Sequence, residues 1–209
     1  GFGTPQILAT ATPYIALGDL DGDGSLDIAT TGYDGPLWYR NDGAASFTLM
    51  PALAPGSDCA EVRIADVYGD GVNELLADVG GVQIFTVDGD GNFVMNDEVP
   101  VSVPWELADL DGDGRLDIFG CNGVGDLLVY LYDGNLEAFA DPTIVAHFDN
   151  GYAPQFADMN GDGLLDLIVV SASGVADFFY PLVHLLPGLP DGDFGPPQLV
   201  TTAPDDYRS

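Results

Sequence analysis

Residues 18–27 read Gly18-Asp19-Leu20-Asp21-Gly22-Asp23-Gly24-Ser25-Leu26-Asp27, and close copies of this stretch return along the chain. Two good copies begin at Asp109 and Asp158, and a worn copy begins at Asp66. The four leading aspartates follow one another at intervals of about 45 residues, a period typical of repeat architectures. The chain is therefore predicted to be an array of four similar units.

The first loop spaces its side-chain oxygens regularly. Counted from the first aspartate, oxygens fall at positions one, three, five and nine, namely Asp19, Asp21, Asp23 and Asp27, while Ser25 at position seven can offer its backbone carbonyl. Glycines at positions four and six permit the positive φ angles of a tight loop. An all-oxygen cage favours Ca²⁺ over Mg²⁺, because calcium accepts more ligands in a flexible geometry. No His or Cys contributes, which argues against zinc or copper.

The other loops repeat this donor set with different completeness. The third loop offers Asp109, Asp111, Asp113, the carbonyl of Arg115, and Asp117. The fourth loop offers Asp158, Asn160, Asp162, the carbonyl of Leu164, and Asp166. The second loop keeps Asp66 and Asp70 but carries Tyr68 at position three and Glu74 at position nine. We therefore predict about three calcium sites, with weak or absent binding at the second loop.

The segments between turns are short and rich in Val, Ile, Leu, Phe and Tyr, and 28 Gly and 15 Pro punctuate them, which favours strands. Four antiparallel strands in each unit of this length are the format of a β-propeller blade. We predict an all-β, propeller-type domain over residues 1–209, with blades at about 11–53, 58–99, 102–145 and 150–203. The outer strand of the third blade is predicted at Leu136–Phe139, after a turn at Asp133 and Gly134.

The two ends of the chain carry a similar element, because residues 2–10 resemble residues 194–202. Residues 1–10 are therefore predicted to be an extra outer strand, so that five outer strands serve four blades. This count favours an arc, either part of a larger ring or completed by another copy of the chain. A closed four-bladed ring with one terminal strand added at an edge stays open as the alternative.

The large excess of acidic residues limits the classes of molecule that the chain can bind. The chain has 34 acidic residues, four arginines and a net charge of −30, so nucleic acid is an improbable ligand. Three bound dications would offset only part of that charge, which suits a calcium-rich or salty extracellular medium or a role in solubility. No apolar run of membrane length is present, so membrane insertion is not expected. Cys59 and Cys121 could form a disulfide or stay buried thiols.

The loops, their period and the Phe-Gly-x-Pro element at residues 2–5 and 194–197 resemble the FG-GAP or VCBS repeats of the integrin α-subunit propeller and of many secreted bacterial and fungal proteins. The resemblance implies that Asp19, Asp21, Asp23 and Asp27, and their matches in the third and fourth loops, are calcium ligands between the first two strands of a blade. Tyr68 departs from the pattern. Four repeats also depart from the seven or eight blades usual in the family.

The resemblance implies an extracellular, calcium-stiffened scaffold that binds a glycan or a protein in recognition or adhesion. A second reading is a non-catalytic arc of a larger secreted protein, and a third is a polysaccharide-active propeller enzyme. We expect no enzymatic activity, because His147 and His184 have no catalytic partner identifiable by spacing. Five aromatic residues could stack on sugar rings or pack between blades: Trp38, Tyr39, Trp105, Tyr130 and Tyr132.

Overall fold

The computed structural model describes residues 14–43, 46–51, 53–148, 151–175 and 178–200. These residues form four antiparallel sheets of four strands each, together with one two-stranded hairpin. The described part of the chain contains no α-helix, and only a short 3₁₀ turn at Pro190–Gly192 interrupts the strands. The predicted all-β class with four four-stranded blades is confirmed.

The first compact unit comprises residues 1–66 and 70–98 and contains two blades. The first blade is built from β1 (Ile15–Gly18), β2 (Asp27–Thr30), β3 (Leu37–Asn41) and β4 (Phe47–Leu49). The second is built from β5 (Glu61–Ala65), β6 (Glu74–Asp78), β7 (Val82–Val87) and β8 (Phe93–Val99). In both blades the strand order in the sheet follows the chain, so each blade is a simple meander.

The second compact unit comprises residues 67–69 and 99–209 and contains the other two blades. The third blade consists of β9 (Ser102–Ala108), β10 (Asp117–Cys121), β11 (Asp126–Tyr130) and β14 (Thr143–His147). The fourth consists of β15 (Gly151–Ala157), β16 (Asp166–Val175), β17 (Phe178–Leu186) and β18 (Gln198–Leu199). Each acidic loop therefore joins the first strand of its blade to the second.

Each unit has its own apolar core between its two blades. In the first unit Trp38 and Leu75 are fully buried, and the Trp38 ring meets Phe93 edge-on at 4.8 Å. Gly18 on β1 lets the two blades approach, because a Cβ atom there would overlap the side chain of Ile64 on β5. In the second unit Phe119 packs edge-on against Phe156 at 5.4 Å. The middle strands are buried along nearly their whole length, as in β6 and β10, so both faces of these sheets contribute to the apolar interiors.

The third blade corrects one prediction. Its outer strand is not Leu136–Phe139 but β14 (Thr143–His147), which pairs with β11. The segment between them forms a separate hairpin of β12 (Tyr132–Asp133) and β13 (Ala138–Phe139). The turn at Asp133 and Gly134 is real, but it closes this inserted hairpin instead of the blade. The pairing that distinguishes the two arrangements joins residues far apart in sequence, which local turn signals do not report.

The two terminal elements lie partly outside the described residues. Residues 1–10, predicted as an extra outer strand, lie outside the described residues, as do residues 201–202. The predicted outer strand of the fourth blade is present as β18, which pairs with β17 through Leu185 and Gln198. The grouping of all four blades in one domain, and the choice between an arc and a ring, stay predictions. No helix among the described residues has the length and apolarity needed to cross a membrane.

Candidate metal sites

The backbone of each acidic loop is curled around its first aspartate. In the first loop Asp19 Oδ1 accepts hydrogen bonds from the Gly22 and Asp23 amides at 2.8 and 3.2 Å, and Oδ2 accepts one from Gly24 at 2.8 Å. Gly22 and Gly24 have φ angles of +74° and +87°, a region that favours glycine. Asp109 and Asp158 bind the equivalent amides of their own loops at 2.6 to 3.0 Å. The aspartate at position one therefore shapes the loop.

The acidic residue at position nine is buried and joins two parts of its blade. Asp117 is 1% exposed and accepts hydrogen bonds from the Leu110 amide at 2.8 Å and the Tyr132 amide at 2.9 Å. Asp27 bridges the amides of Leu20 and Asn41 in the same way. Asp166 does so for Met159 and Gly188, at 2.9 and 2.8 Å. Sequence spacing could not identify the second amide of each pair, which comes from a residue 14 to 22 positions away.

Burial changes the acidity of the Asp117 and Asp27 carboxyl groups. Desolvation raises the pKa of Asp117 to about 6, and the nearby charges of Asp111 and Asp113 add to that effect, while the two backbone hydrogen bonds lower it. Burial likewise raises the pKa of Asp27. A group of this kind is costly to hold as an anion without a nearby positive charge. A cation bound beside these two carboxyl groups would offset that cost.

Two loops bring three carboxylates together. One carboxylate oxygen from each of Asp19, Asp21 and Asp27 lies within 4.8 Å of the others, and Asp109, Asp111 and Asp117 form the same group in the third loop. These are positions one, three and nine of the predicted ligand set. Three converging carboxylates could hold a metal ion, and a purely oxygen donor set suits a hard divalent cation.

The aspartates at position five lie apart from these groups. Asp23 Oδ1 accepts the Ser25 amide at 2.7 Å, and Asp113 Oδ1 accepts the Arg115 amide at 2.8 Å. Asp113 also forms an ion pair with the Arg115 guanidinium at 2.6 Å. The roles of the position-five carboxylates, and of the carbonyl oxygens of Ser25, Arg115 and Leu164, stay predictions.

The fourth loop replaces one carboxylate by an amide. Asn160 Nδ2 donates to Asp162 Oδ2 at 2.9 Å and to Asp166 Oδ1 at 3.5 Å, so the amide nitrogen lies between two acidic side chains. No group of three converging carboxylates forms in this loop, all of whose residues are described. The predicted ligands Asp158, Asn160, Asp162 and Asp166 keep the hydrogen-bonded loop shape seen in the first and third loops.

The second loop has the same hydrogen-bonded shape as the other loops but lacks a group of three converging carboxylates. Asp66 accepts the Asp70 and Gly71 amides at 3.0 and 2.9 Å, as its counterparts do elsewhere. Tyr68 at position three packs its ring on Tyr132 at 5.0 Å, and Glu74 at position nine is fully buried. The three weaker ligands predicted here, Asp66, Asp70 and Glu74, do not converge within the described residues of this loop.

The remaining reactive side chains have local partners. Ser171 Oγ lies 2.9 Å from His184 Nε2, and burial lowers the pKa of that histidine. His147 Nδ1 lies 2.8 Å from Asp126 Oδ1. Sequence spacing missed both pairs because each joins neighbouring strands. The five candidate sugar-stacking aromatics are each less than 10% exposed, so they pack in the interior: Trp38, Tyr39, Trp105, Tyr130 and Tyr132.

Both cysteines are half-buried, and both are free thiols in the structure. Burial raises the pKa of the Cys59 thiol to about 12, with the charge of Asp78 adding to the effect. Burial also raises the pKa of Cys121. Neither thiol carries appreciable thiolate at neutral pH, so both behave as small apolar side chains.

Four-stranded antiparallel blades, each with an acidic loop between its first two strands, define a propeller-type repeat protein. The sequence profile of the FG-GAP-like repeat matches residues 19–77 and 109–169, which together are more than half of the chain. The chain therefore belongs to the FG-GAP-like repeat family, and the resemblance noted from the loops is confirmed. Among curated proteins, none matches the chain by sequence.

The chain shares its fold with solved structures of other proteins, among them a lectin and a biofilm matrix protein. A lectin from Agrocybe aegerita, described for its recognition of non-reducing terminal N-acetylglucosamine, superposes with a TM-score of 0.53 at 21% identity over 88% of this chain and 65% of its own. The biofilm matrix protein Bap1 of V. cholerae superposes with a TM-score of 0.52 at 21% identity over 87% of this chain and 27% of its own. The chain thus spans less than two thirds of either protein. At this identity the likeness concerns the fold alone.

Proposed function

We propose that this chain is a calcium-binding extracellular propeller module whose role is to bind another molecule, a glycan or a protein. The observation that carries the proposal is the pair of three-carboxylate groups, Asp19, Asp21 and Asp27 in one loop and Asp109, Asp111 and Asp117 in another. Membership of the FG-GAP-like family, whose loops often bind calcium, supports the choice of ion. The ion would hold the first two strands of a blade together, away from any chemistry on a substrate.

The proposed ligand set follows the loop positions. Positions one, three and nine supply the converging carboxylates, and position five and the carbonyl at position seven complete a shell of about six to eight oxygens. The fourth loop is proposed as a third site of lower charge, with Asn160 supplying an oxygen after its amide rotates. The second loop is proposed to bind weakly or not at all, because Tyr68 stands where the other loops have an oxygen.

The binding role is supported by the fold and by the charge. Two structures with this fold are a lectin that recognises terminal N-acetylglucosamine and a biofilm matrix protein. A net charge of −30 suits the calcium-rich medium outside cells, where acidic loops are filled, and disfavours polyanionic partners. The candidate partners are therefore a neutral glycan or a protein surface, and self-association of the module is a further candidate.

Calcium dependence is tested by thermal unfolding in excess chelator and after restoring calcium. An ion that binds only the folded state stabilises it by mass action, by about 2.7 kcal/mol at a hundred times the dissociation constant. We expect a higher melting temperature with calcium than with magnesium at equal concentration. An unchanged melting curve after confirmed removal of metal would refute the structural role of the ion.

A glycan array run with calcium and with chelator tests the binding role. Calcium-dependent binding of a glycan supports a lectin-like module, whereas no binding at millimolar sugar rejects it and leaves protein recognition or the non-catalytic arc. Mass measurement in solution addresses the arc, because a monodisperse monomer favours a closed four-bladed ring.

A catalytic role has one observation in its favour, the pairing of Ser171 with His184 at 2.9 Å. A nucleophile next to a base is the first element of acyl-transfer chemistry. The enzyme reading gains ground only if the protein turns over a polysaccharide or ester substrate and His184→Ala abolishes turnover, with His147→Ala as the matched control.

A further inference from the structure

The inserted hairpin of the third blade and the third acidic loop border an open cavity. The cavity measures about 390 Å³ and lies between the third acidic loop and the β12–β13 hairpin. Its lining combines Asp111, Asp113 and Arg115 from the loop with Asp133 and Asn135 from the hairpin, and Leu131 at its base. The volume lies in the range of small-molecule sites, about 300–1,000 Å³.

The cavity offers hydrogen-bond donors and acceptors side by side. Carboxylates of Asp111, Asp113 and Asp133 are acceptors, while the guanidinium of Arg115 and the amide of Asn135 are donors. Arg115 Nη1 contacts Asp113 Oδ2 at 2.6 Å, and Asn135 Nδ2 contacts Asp133 Oδ1 at 3.1 Å. Each donor is thus held beside an acceptor, and a sugar hydroxyl group can both donate and accept a hydrogen bond.

The hairpin is anchored firmly enough to shape a site. Tyr132 is 8% exposed, and its ring packs between Tyr68 at 5.0 Å and Phe139 at 5.3 Å. Its amide donates to the buried Asp117, which ties the base of the hairpin to the end of the acidic loop. The cavity wall is therefore positioned by an aromatic stack and a buried hydrogen bond, as a preorganised binding site requires.

We propose that this cavity binds one neutral sugar unit of a glycan, with one hydroxyl group accepting a hydrogen bond from the Arg115 guanidinium and others bridging the Asn135 and Asp133 pair. This inference rests on the proposed glycan recognition and gives it a location within the third blade. Anionic sugars are disfavoured because the carboxylates of the third loop and of Asp133 outnumber the positive charges of one guanidinium and one bound dication, in a chain of net charge −30. The other blades have no counterpart of the hairpin within the described residues, so the site is specific to the third.

Two substitutions would change the cavity, one at Gly134 and one at Arg115. A Cβ atom at Gly134 would overlap the Arg115 guanidinium, which is the far end of a flexible side chain and can move away. Gly134→Ala should therefore displace the guanidinium while leaving the hairpin in place. Arg115→Gln removes its charge directly, and the backbone carbonyl of Arg115 is unaffected by either substitution.

The experiment titrates the calcium-loaded protein with methyl glycosides of glucose, galactose, mannose, N-acetylglucosamine and glucuronic acid. We expect at least one neutral glycoside to bind more tightly than the glucuronide. Arg115→Gln and Gly134→Ala should each weaken that binding by about tenfold or more, since charged hydrogen bonds are lost. Arg63→Gln, which makes the same change at the Arg63–Glu61 ion pair of the second blade, should leave it unchanged. The calcium-induced rise in melting temperature serves as the folding control for every variant.

Three results would overturn the inference in distinguishable ways. If the wild-type protein binds a neutral glycoside and both cavity variants bind it equally well, the site is elsewhere and the proposed glycan recognition stands. If the glucuronide binds most tightly, the ligand class is wrong. If no glycoside binds at millimolar concentration while calcium still stabilises the protein, glycan recognition itself fails and the cavity proposal fails with it.

Discussion

The second and third acidic loops have nearly the same backbone but different contents. In both, the aspartate at position one accepts two amides from the glycine-rich turn, at 2.7 to 3.0 Å. In the third loop Asp111 adds a carboxylate beside Asp109 and Asp117, whereas in the second loop Tyr68 fills that position and packs on Tyr132. The first aspartate and the glycines thus set the shape of the loop. The side chain at position three determines whether the loop can hold an ion. The second loop shows that the shape persists without the ion site.

The largest loss of stability is expected at position nine of the third loop. Its carboxyl group both holds the loop in shape and belongs to the three-carboxylate group. Asp117→Ala leaves the buried amides of Leu110 and Tyr132 without their acceptor, and each such loss costs about 1–3 kcal/mol. We expect the free energy of unfolding to fall by about 3 kcal/mol in chelator, with a further loss of calcium-dependent stability. Chemical denaturation with and without calcium measures both parts. A variant that loses only the calcium-dependent part would show that position nine has no structural role of its own.

The next largest effect is expected at position three, where a substitution should change calcium-dependent stability without changing the shape of the loop. Asp111→Ala should change metal-free stability little, because this side chain is exposed, but should remove the calcium-dependent stabilisation of the third loop. Tyr68→Ala should lower stability by about 1 kcal/mol with or without calcium, since it removes an aromatic contact. Melting temperatures of the two variants in calcium and in chelator provide the comparison. Equal calcium dependence of the two variants would contradict the ranking of the loops.

The sequence was sufficient for the blades and for the loops because both depend on local patterns. Aspartates at fixed spacing with glycines between them fold the same way in four places, and short apolar strands between turns give four-stranded sheets. The partners of Asp27, Asp117 and Asp166 could not be predicted, because the Asn41, Tyr132 and Gly188 amides reach them through strand packing. The β12–β13 hairpin was missed for the same reason, since its turn looks like the turn of a blade.

The fourth loop offers an intermediate case between the second and the third. Asn160→Asp would place a carboxylate at position three beside Asp158 and Asp166, where an amide now donates to two carboxylates. We expect calcium to bind this loop about tenfold more tightly, or ~1.4 kcal/mol, because added ligand charge raises affinity. Isothermal titration calorimetry measures the change. Asn96→Asp, which adds the same charge on the exposed strand β8, where this side chain accepts a hydrogen bond from Thr86, is the control and should leave calcium binding as it is.

The smallest effect is a gain of binding at the second loop. Tyr68→Asp restores an oxygen at position three in a loop whose first aspartate already holds the turn, so we expect one additional, weakly bound calcium per chain. The gain is small because the substitution also removes the contact between Tyr68 and Tyr132, and because Glu74 is longer than the aspartate of the other loops. Equilibrium dialysis with radioactive calcium gives the stoichiometry. The contrary result is that the number of bound calcium ions per chain stays unchanged in Tyr68→Asp and rises only when Glu74→Asp is added. In that case the side chain at position nine, and not the one at position three, prevents calcium binding at the second loop.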